Sequence, residues 1–249
     1  MKTLELPNMR TVSIEPFQGA TFGVSANPSG IKSILFPEPG QMRARKVVSR
    51  SNARSTGKYP SWKMQRMIHW ESINELNAFR LLDCDPNVTS YCEQPCQIVY
   101  VLDGVERVHY PDILVTTTGG QQLWEVKLRS NASEPEILAR TAFLSCTLPR
   151  WGYEYRTVFG EDLARQPRLN NANLLLRLGK RAVSDCEWEG VRRTLSEQGE
   201  LVWSEASSGN YGPKGREILS SLVLRGVLTI DMNSPISPAT EFVAKNGGL

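Results

Sequence analysis

Asp112 follows Pro111 and opens the apolar run Ile113-Leu114-Val115; after a Gly119-Gly120 turn comes the triplet Glu125-Val126-Lys127. Carboxylates of this kind are hard oxygen ligands for Mg²⁺. Its octahedral shell, at roughly 2.0–2.1 Å, is completed by water, phosphate oxygens or a backbone carbonyl, and Val126 is best placed to supply the carbonyl. A metal held there can polarise a phosphodiester and activate water, and a second ion about 3.5–4 Å away can stabilise the leaving oxygen. Lys127 stands ready to assist water deprotonation or to stabilise charge developing on the phosphate. The same three residues also describe an ordinary solvent-facing strand pair with an Asp at a strand end, so their meaning depends on the elements around them.

Those elements can be read from periodicity. Residues 97–102 form one strand signal, Asp103-Gly104 makes a hairpin turn, and 105–115 returns as a second strand. In a third strand over 123–128, Leu123, Glu125 and Lys127 share one face, and Trp124, Val126 and Leu128 share the other. Upstream, Ile73, Leu76, Phe79 and Leu82 recur at helical spacing over 72–82, and Asp85-Pro86-Asn87 ends that helix. Ser133-Glu134-Pro135-Glu136 reads as a capped helix start, and 153–159 as a further strand. Helix, three strands, helix and strand make an α/β layer with a mixed sheet.

The first helix offers a third acid. Glu75 can face the carboxylates, but Ser72-Ile73-Asn74-Glu75 is equally a capping box, with Ser72 as N-cap and Glu75 as its partner. Glu71 competes for the same role one turn earlier. Local sequence leaves capping and catalysis both open.

Composition narrows the setting. The chain has 249 residues, enough for one large domain or two ordinary ones, and five cysteines, which do not describe a disulfide scaffold. Cys92 and Cys96 are too far apart for a Cys-x-x-Cys pair, and with only His69 and His109 to complete a site, structural zinc is disfavoured. No apolar run suits a membrane span, and residues 1–10 lack an apolar signal core, so the expected location is the cytoplasm.

The net charge of +3 hides a cluster of eight cations between Gln41 and Trp70: Arg43, Arg45, Lys46, Arg50, Arg54, Lys58, Lys63 and Arg66. No acid lies among them, so the rest of the chain is net −5, the difference between +3 and these eight. With Tyr59 and Trp62 interleaved, residues 1–66 read as an extended basic arm suited to phosphates and sugars, order beginning near Trp70. The alternative is a solvated arm without a partner. Past Gly160 the chain is polar and Asn-rich over 165–180, then shows helical stretches at 186–197, 201–207 and 214–225 and strand signals at 227–232 and 240–243. Helices closed by a β-ribbon suggest a winged helix-turn-helix beyond a boundary near 161–171.

Taken together, Trp70-Glu71-Ser72, Glu75, Val88, Glu93-Gln94-Pro95, Tyr100, Pro111-Asp112 and Glu125-Val126-Lys127 resemble the TnsA endonucleases, which cut the 5′ ends of heteromeric cut-and-paste transposons. The resemblance spans 57–127 and extends loosely into the next helix. It implies a restriction-endonuclease-like mixed sheet with flanking helices over 67–165, plus a C-terminal winged-helix-like domain over 166–249. It places the helix-borne catalytic acid at Glu75 rather than Glu71, with Asp112 and Glu125 on Mg²⁺ (or Mn²⁺) and Lys127 beside the attacking water. The family's founding member carries Gln where this chain has Glu125, and the added charge favours metal. The implied partners are double-stranded DNA at transposon ends, a DDE-type transposase subunit (TnsB-like) and an AAA+ ATPase regulator (TnsC-like), in a bacterial, nucleoid-associated setting. In the C-terminal domain Lys214, Arg216 and Arg225 would form the basic side of the last helix, with Glu217 among them, leaving DNA reading and protein docking equally open.

Overall fold

A computed structural model describes residues 29–38, 40–44 and 55–245. Its centre is a four-stranded sheet. β4 (Val88–Glu93) pairs antiparallel with β7 (Ile113–Thr117), β7 with β8 (Gly120–Lys127), and β8 runs parallel to β9 (Tyr153–Phe159). A parallel neighbour needs a long crossover. The short α2 (Arg129–Ala132), α3 (Pro135–Thr147) and a 3₁₀ turn over Leu148–Trp151 provide it. Pro135 sits in the first turn of α3, where a missing N–H costs nothing, but Ser133 donates to the Ser130 carbonyl instead of capping the helix.

A second, antiparallel sheet joins β1 (Gly30–Leu35), β5 (Gln97–Leu102) and β6 (Val105–His109). The β5–β6 hairpin turns at Asp103 and Gly104, both with positive φ, matching the expected tight turn. The single return strand expected over 105–115 is two strands. Pro111 has no N–H to donate, and the chain uses the break to leave one sheet at His109 and enter the other at Ile113. Strand β4 was not anticipated, because Val88–Glu93 mixes polar and apolar residues without clear alternation.

Order also begins earlier than Trp70. Besides β1, β2 (Gly57–Ser61) and β3 (Arg66–Trp70) form a hairpin against α1 (Ile73–Cys84). Buried Asp83 on α1 explains this: its carboxylate accepts the hydroxyls of Tyr59 at 2.7 Å, Ser61 at 2.7 Å and Tyr91 at 2.8 Å, and the Trp62 amide at 2.8 Å. One buried charge needs several donors, and the hairpin turn supplies most of them. The basic arm therefore ends in folded structure at 57–66, while Arg45, Lys46, Arg50 and Arg54 lie outside the described residues.

The central sheet has two covered faces. One packs α3 and the β1-β5-β6 sheet through Ile98, Tyr100, Leu123, Leu144 and Tyr155. The other packs α1 through Phe79, Leu82, Ile113, Val115 and Val126, and that core continues without a break into the C-terminal half. There α4 (Gly160–Leu163) and α5 (Arg168–Leu178) occupy the expected boundary. Helix α5 lies against α1, with Cys84 Sγ 3.6 Å from the Ala172 carbonyl. An added Cβ at Gly226 would come within 2.8 Å of Pro86, so the two halves meet closely there too.

Beyond α5 come α6 (Asp185–Gln198), β10 (Glu200–Val202), α7 (Trp203–Ser208), α8 (Gly215–Leu224), β11 (Leu228–Thr229) and β12 (Glu241–Ala244). The three strands pair antiparallel in the order β10-β12-β11. Ser184 and Glu187 form a complete capping box on α6. Trp203 stacks on Phe242 with ring centroids 5.6 Å apart and is a core residue. No described helix is long and apolar enough to cross a membrane.

Candidate active site

The site forms where β7 and β8 begin and end beside the N-terminus of α1. The Asp112 backbone is held on both sides: its N–H donates to the Trp124 carbonyl at 3.0 Å and its carbonyl accepts the Gln94 amide at 2.9 Å. Its carboxylate accepts the Val126 amide at 2.7 Å. This bond fixes the acid against the strand that carries Glu125 and Lys127. As the period-2 reading requires, Glu125 follows Leu123 onto the α3 face, and Trp124 and Val126 pack toward α1.

Glu125 is 3 % exposed and surrounded by cations. Oε1 meets Lys127 Nζ at 2.8 Å and Arg140 Nη2 at 3.2 Å. Oε2 lies 3.2 Å from His109 Nε2, and that nitrogen is also 3.1 Å from the Tyr155 hydroxyl. One ring nitrogen cannot serve both oxygens well, and Glu125 Oε2 has no hydrogen-bond partner among the described residues. Burial pushes the Glu125 carboxyl up, but His109 and Lys127 outweigh it and hold it at about 2. Asp112 moves the other way: burial first, then the charges of Glu125 and Glu75, raise its proton affinity well above the usual carboxylate range. Burial lowers the Lys127 ammonium, and Glu125 and Asp112 more than restore it, so at neutral pH it is a cation.

Glu75 lines the same cleft, a cavity of about 880 Å³ shared with His109, Asp112, Glu125 and Lys127. Both of its oxygens are nonetheless engaged in the helix cap: Oε1 accepts from Ser72 Oγ at 2.9 Å, and Oε2 accepts the Glu71 amide at 2.8 Å. Burial raises its carboxyl above the ordinary value. Among the described residues no three His, Cys, Asp or Glu side chains converge closely enough to hold a metal. Glu75, Asp112 and Glu125 nonetheless line one cleft, with Glu75 turned into its cap. What is present fits a cation held by Asp112 and Glu125, with water and phosphate oxygens filling the shell. Glu125 Oε2 is buried, with the His109 ring beside it but no hydrogen bond among the described residues, and the repulsion that adds to burial in raising Asp112 is what a divalent ion would relieve.

His109, Arg140 and Tyr155 were not legible as site residues. His109 read only as a weak zinc candidate, and nothing in the local sequence singled out Arg140. Tyr155 enters through the β8–β9 register, which sets it opposite Leu123. Pairing register between distant strands has no local signal.

The expected DNA-facing cations divide. Lys58 is exposed, and Lys214 is exposed at the start of α8. Lys63 departs from the expectation, because its ammonium donates to the carbonyls of Asp85 and Val88. Arg66 also departs from it, pairing with buried Glu93 through two bonds at 3.1 and 2.6 Å, while Arg43 stands 3.8 Å from the same carboxylate. Arg216 donates to Ser207 Oγ at 2.6 Å, and Arg225 lies 5.9 Å from the Trp62 ring. Helix α8 is not a free basic face: Gly215 and the whole run Ile218 to Leu224 are buried.

A mixed sheet flanked by helices, with an acid entering one strand and a Glu-x-Lys pair on the next, is consistent with a nuclease-like core. Residues 85–157 match the family model described as TnsA-like endonuclease N terminal. The match takes in Asp112, Glu125, Lys127, Arg140 and Tyr155, and begins after Glu75. No curated protein matches the chain.

Proposed function

We propose that this chain is the Mg²⁺-dependent endonuclease subunit of a heteromeric transposase, hydrolysing the phosphodiester at transposon 5′ ends. The observation that carries the reading is the convergence of Asp112, Glu125 and Lys127 in one cleft inside the TnsA-like segment. When bound, the metal supplies Lewis-acid polarisation of the phosphate and an activated water. Asp112 and Glu125 would hold it. Lys127, kept protonated by these two acids, stabilises charge on the phosphate instead of serving as the base. Glu75, committed to the cap through both oxygens, would complete the acidic lining of the cleft rather than hold the metal itself.

The strand order β10-β12-β11 beside α6, α7 and α8 supports reading the C-terminal half as a winged helix, in which α8 would be the DNA-reading helix. The burial of α8 favours a docking role for this half, toward a DDE-type transposase (TnsB-like) or an AAA+ regulator (TnsC-like), over base reading.

The test is cleavage of a labelled transposon end, with and without candidate partner subunits, by the wild-type chain and by Asp112→Asn. Loss of nicking in Asp112→Asn, with DNA binding and fold retained, is expected. Equal cleavage by the variant would overturn the site assignment. Efficient site-specific cutting by the chain alone would overturn the partner-dependent reading.

A further inference from the structure

Beside the candidate active site lies a second pocket of about 450 Å³, lined by Tyr100, Val105, Arg107, Val108, Glu136 and Arg140. Val108 lines both cavities, and Arg140 reaches Glu125, so the two adjoin. Arg107 projects from β6 and Arg140 from α3, so two elements that meet only in the folded chain bring two guanidinium groups to one recess. Their side chains are only 31 % and 21 % exposed. In each, the buried Nε–H finds no acceptor among the described residues. Arg107 gives Nη1 to Glu136 at 2.7 Å, and Arg140 gives Nη2 to Glu125 at 3.2 Å. Glu136 is itself 78 % exposed and easily displaced.

Two partly desolvated arginines with idle Nε–H donors match a tetrahedral oxyanion, because a guanidinium edge presents parallel N–H groups to two oxygens at once. A neutral apolar ligand would leave both donors unsatisfied. We propose that Arg107 and Arg140 form a phosphate subsite that grips the DNA backbone beside the bond to be cut. The placement rests on the nuclease reading, since the pocket adjoins the cleft in which the scissile phosphate would lie. The subsite also gives Arg140 two alternative partners, Glu125 in the free protein and a phosphate in the complex.

The experiment uses the full chain carrying Asp112→Asn, without metal, binding a short fluorescein-labelled duplex over a range of salt concentrations. Arg107→Gln and Arg140→Gln should each weaken binding and reduce the slope of log K against log salt by about 0.9, the signature of one lost phosphate contact. Arg107→Lys should keep the slope, and Glu136→Gln, by freeing Arg107, should tighten binding. Wild-type affinity and slope in both Gln variants would overturn the proposal, as would weakened binding with an unchanged slope. A parallel titration with inorganic phosphate at fixed ionic strength separates the sources of the anion. Phosphate binding that is lost in the Gln variants while their DNA affinity stays wild type would assign the pocket to a free anion and overturn the DNA reading. Because no cutting is measured, a chain that grips DNA here yet never cleaves would sink the nuclease reading and leave this one standing.

Discussion

Oε2 of Glu125 lies 3.2 Å from Nε2 of His109, the nitrogen that also meets the Tyr155 hydroxyl at 3.1 Å. The ring is edge-on to Tyr155 and almost wholly buried, so it fixes where the Glu125 carboxylate can sit. Groups that orient a metal-binding carboxylate are commonly worth about 10–100-fold in metal affinity. Tyr155→Phe and His109→Gln should therefore weaken Mn²⁺ binding by about that factor, read by calorimetry without DNA. Unchanged affinity with a lowered melting temperature would reduce the pair to core packing.

Glu75 should separate capping from catalysis. Its folded carboxyl is raised by burial, so charging it in the folded state costs stability. That stability is complete below the ordinary glutamate value of about 4.5 and is lost as pH rises through the raised folded value. Gln cannot ionise and keeps an oxygen for the Glu71 amide. The melting temperature of Glu75→Gln should gain on the wild type as pH rises through this window and then level off, while cleavage falls. A variant that cuts normally would leave Glu75 a helix cap alone.

Asp83 should be a stability residue without a part in cleavage. Asn would turn an amide group toward donors that now share a carboxylate, and each unsatisfied donor costs about 1–3 kcal/mol. Asp83→Asn should lose at least ~3 kcal/mol in urea unfolding. A loss below ~1 kcal/mol would mean that the β2–β3 hairpin is held by its apolar contacts.

The basic segment should behave as two populations. Lys58 is exposed, so Lys58→Gln should lower the salt slope of DNA binding by about 0.9 with little change in stability. Arg66→Gln strands a buried Glu93, with Arg43 only partly compensating, and should cost about 2–3 kcal/mol with the slope unchanged. Anisotropy and thermal melts on the same two proteins decide; a lowered slope for Arg66→Gln would return that residue to the DNA-facing set.

Much of the framework was legible because it rests on local rules. The Ser72–Glu75 cap, the stop at Asp85, the Asp103-Gly104 turn, Pro135 in the first turn of α3 and the alternation of Glu125 with Val126 each depend on residues a few positions apart. The misread strand over 105–115 failed where local rules compete: β propensity ran through Tyr110–Asp112, and the missing N–H of Pro111 decided otherwise. Lys63 and Arg66 misled for a different reason. Charge is visible in a sequence, but whether its partner is water, a carbonyl or a buried glutamate is not.

By itself, the sequence determined that Asp112 leads into one strand and that Glu125 and Lys127 share one face of another, because strand alternation is a property of the backbone. Tertiary structure decided that His109, Arg140 and Tyr155 close around Glu125, and that α8 is core. These outcomes depend on contacts between elements distant in the chain. Their partners are chosen by packing, sheet register and the cost of leaving a buried charge unpaired, and no local spacing encodes that choice.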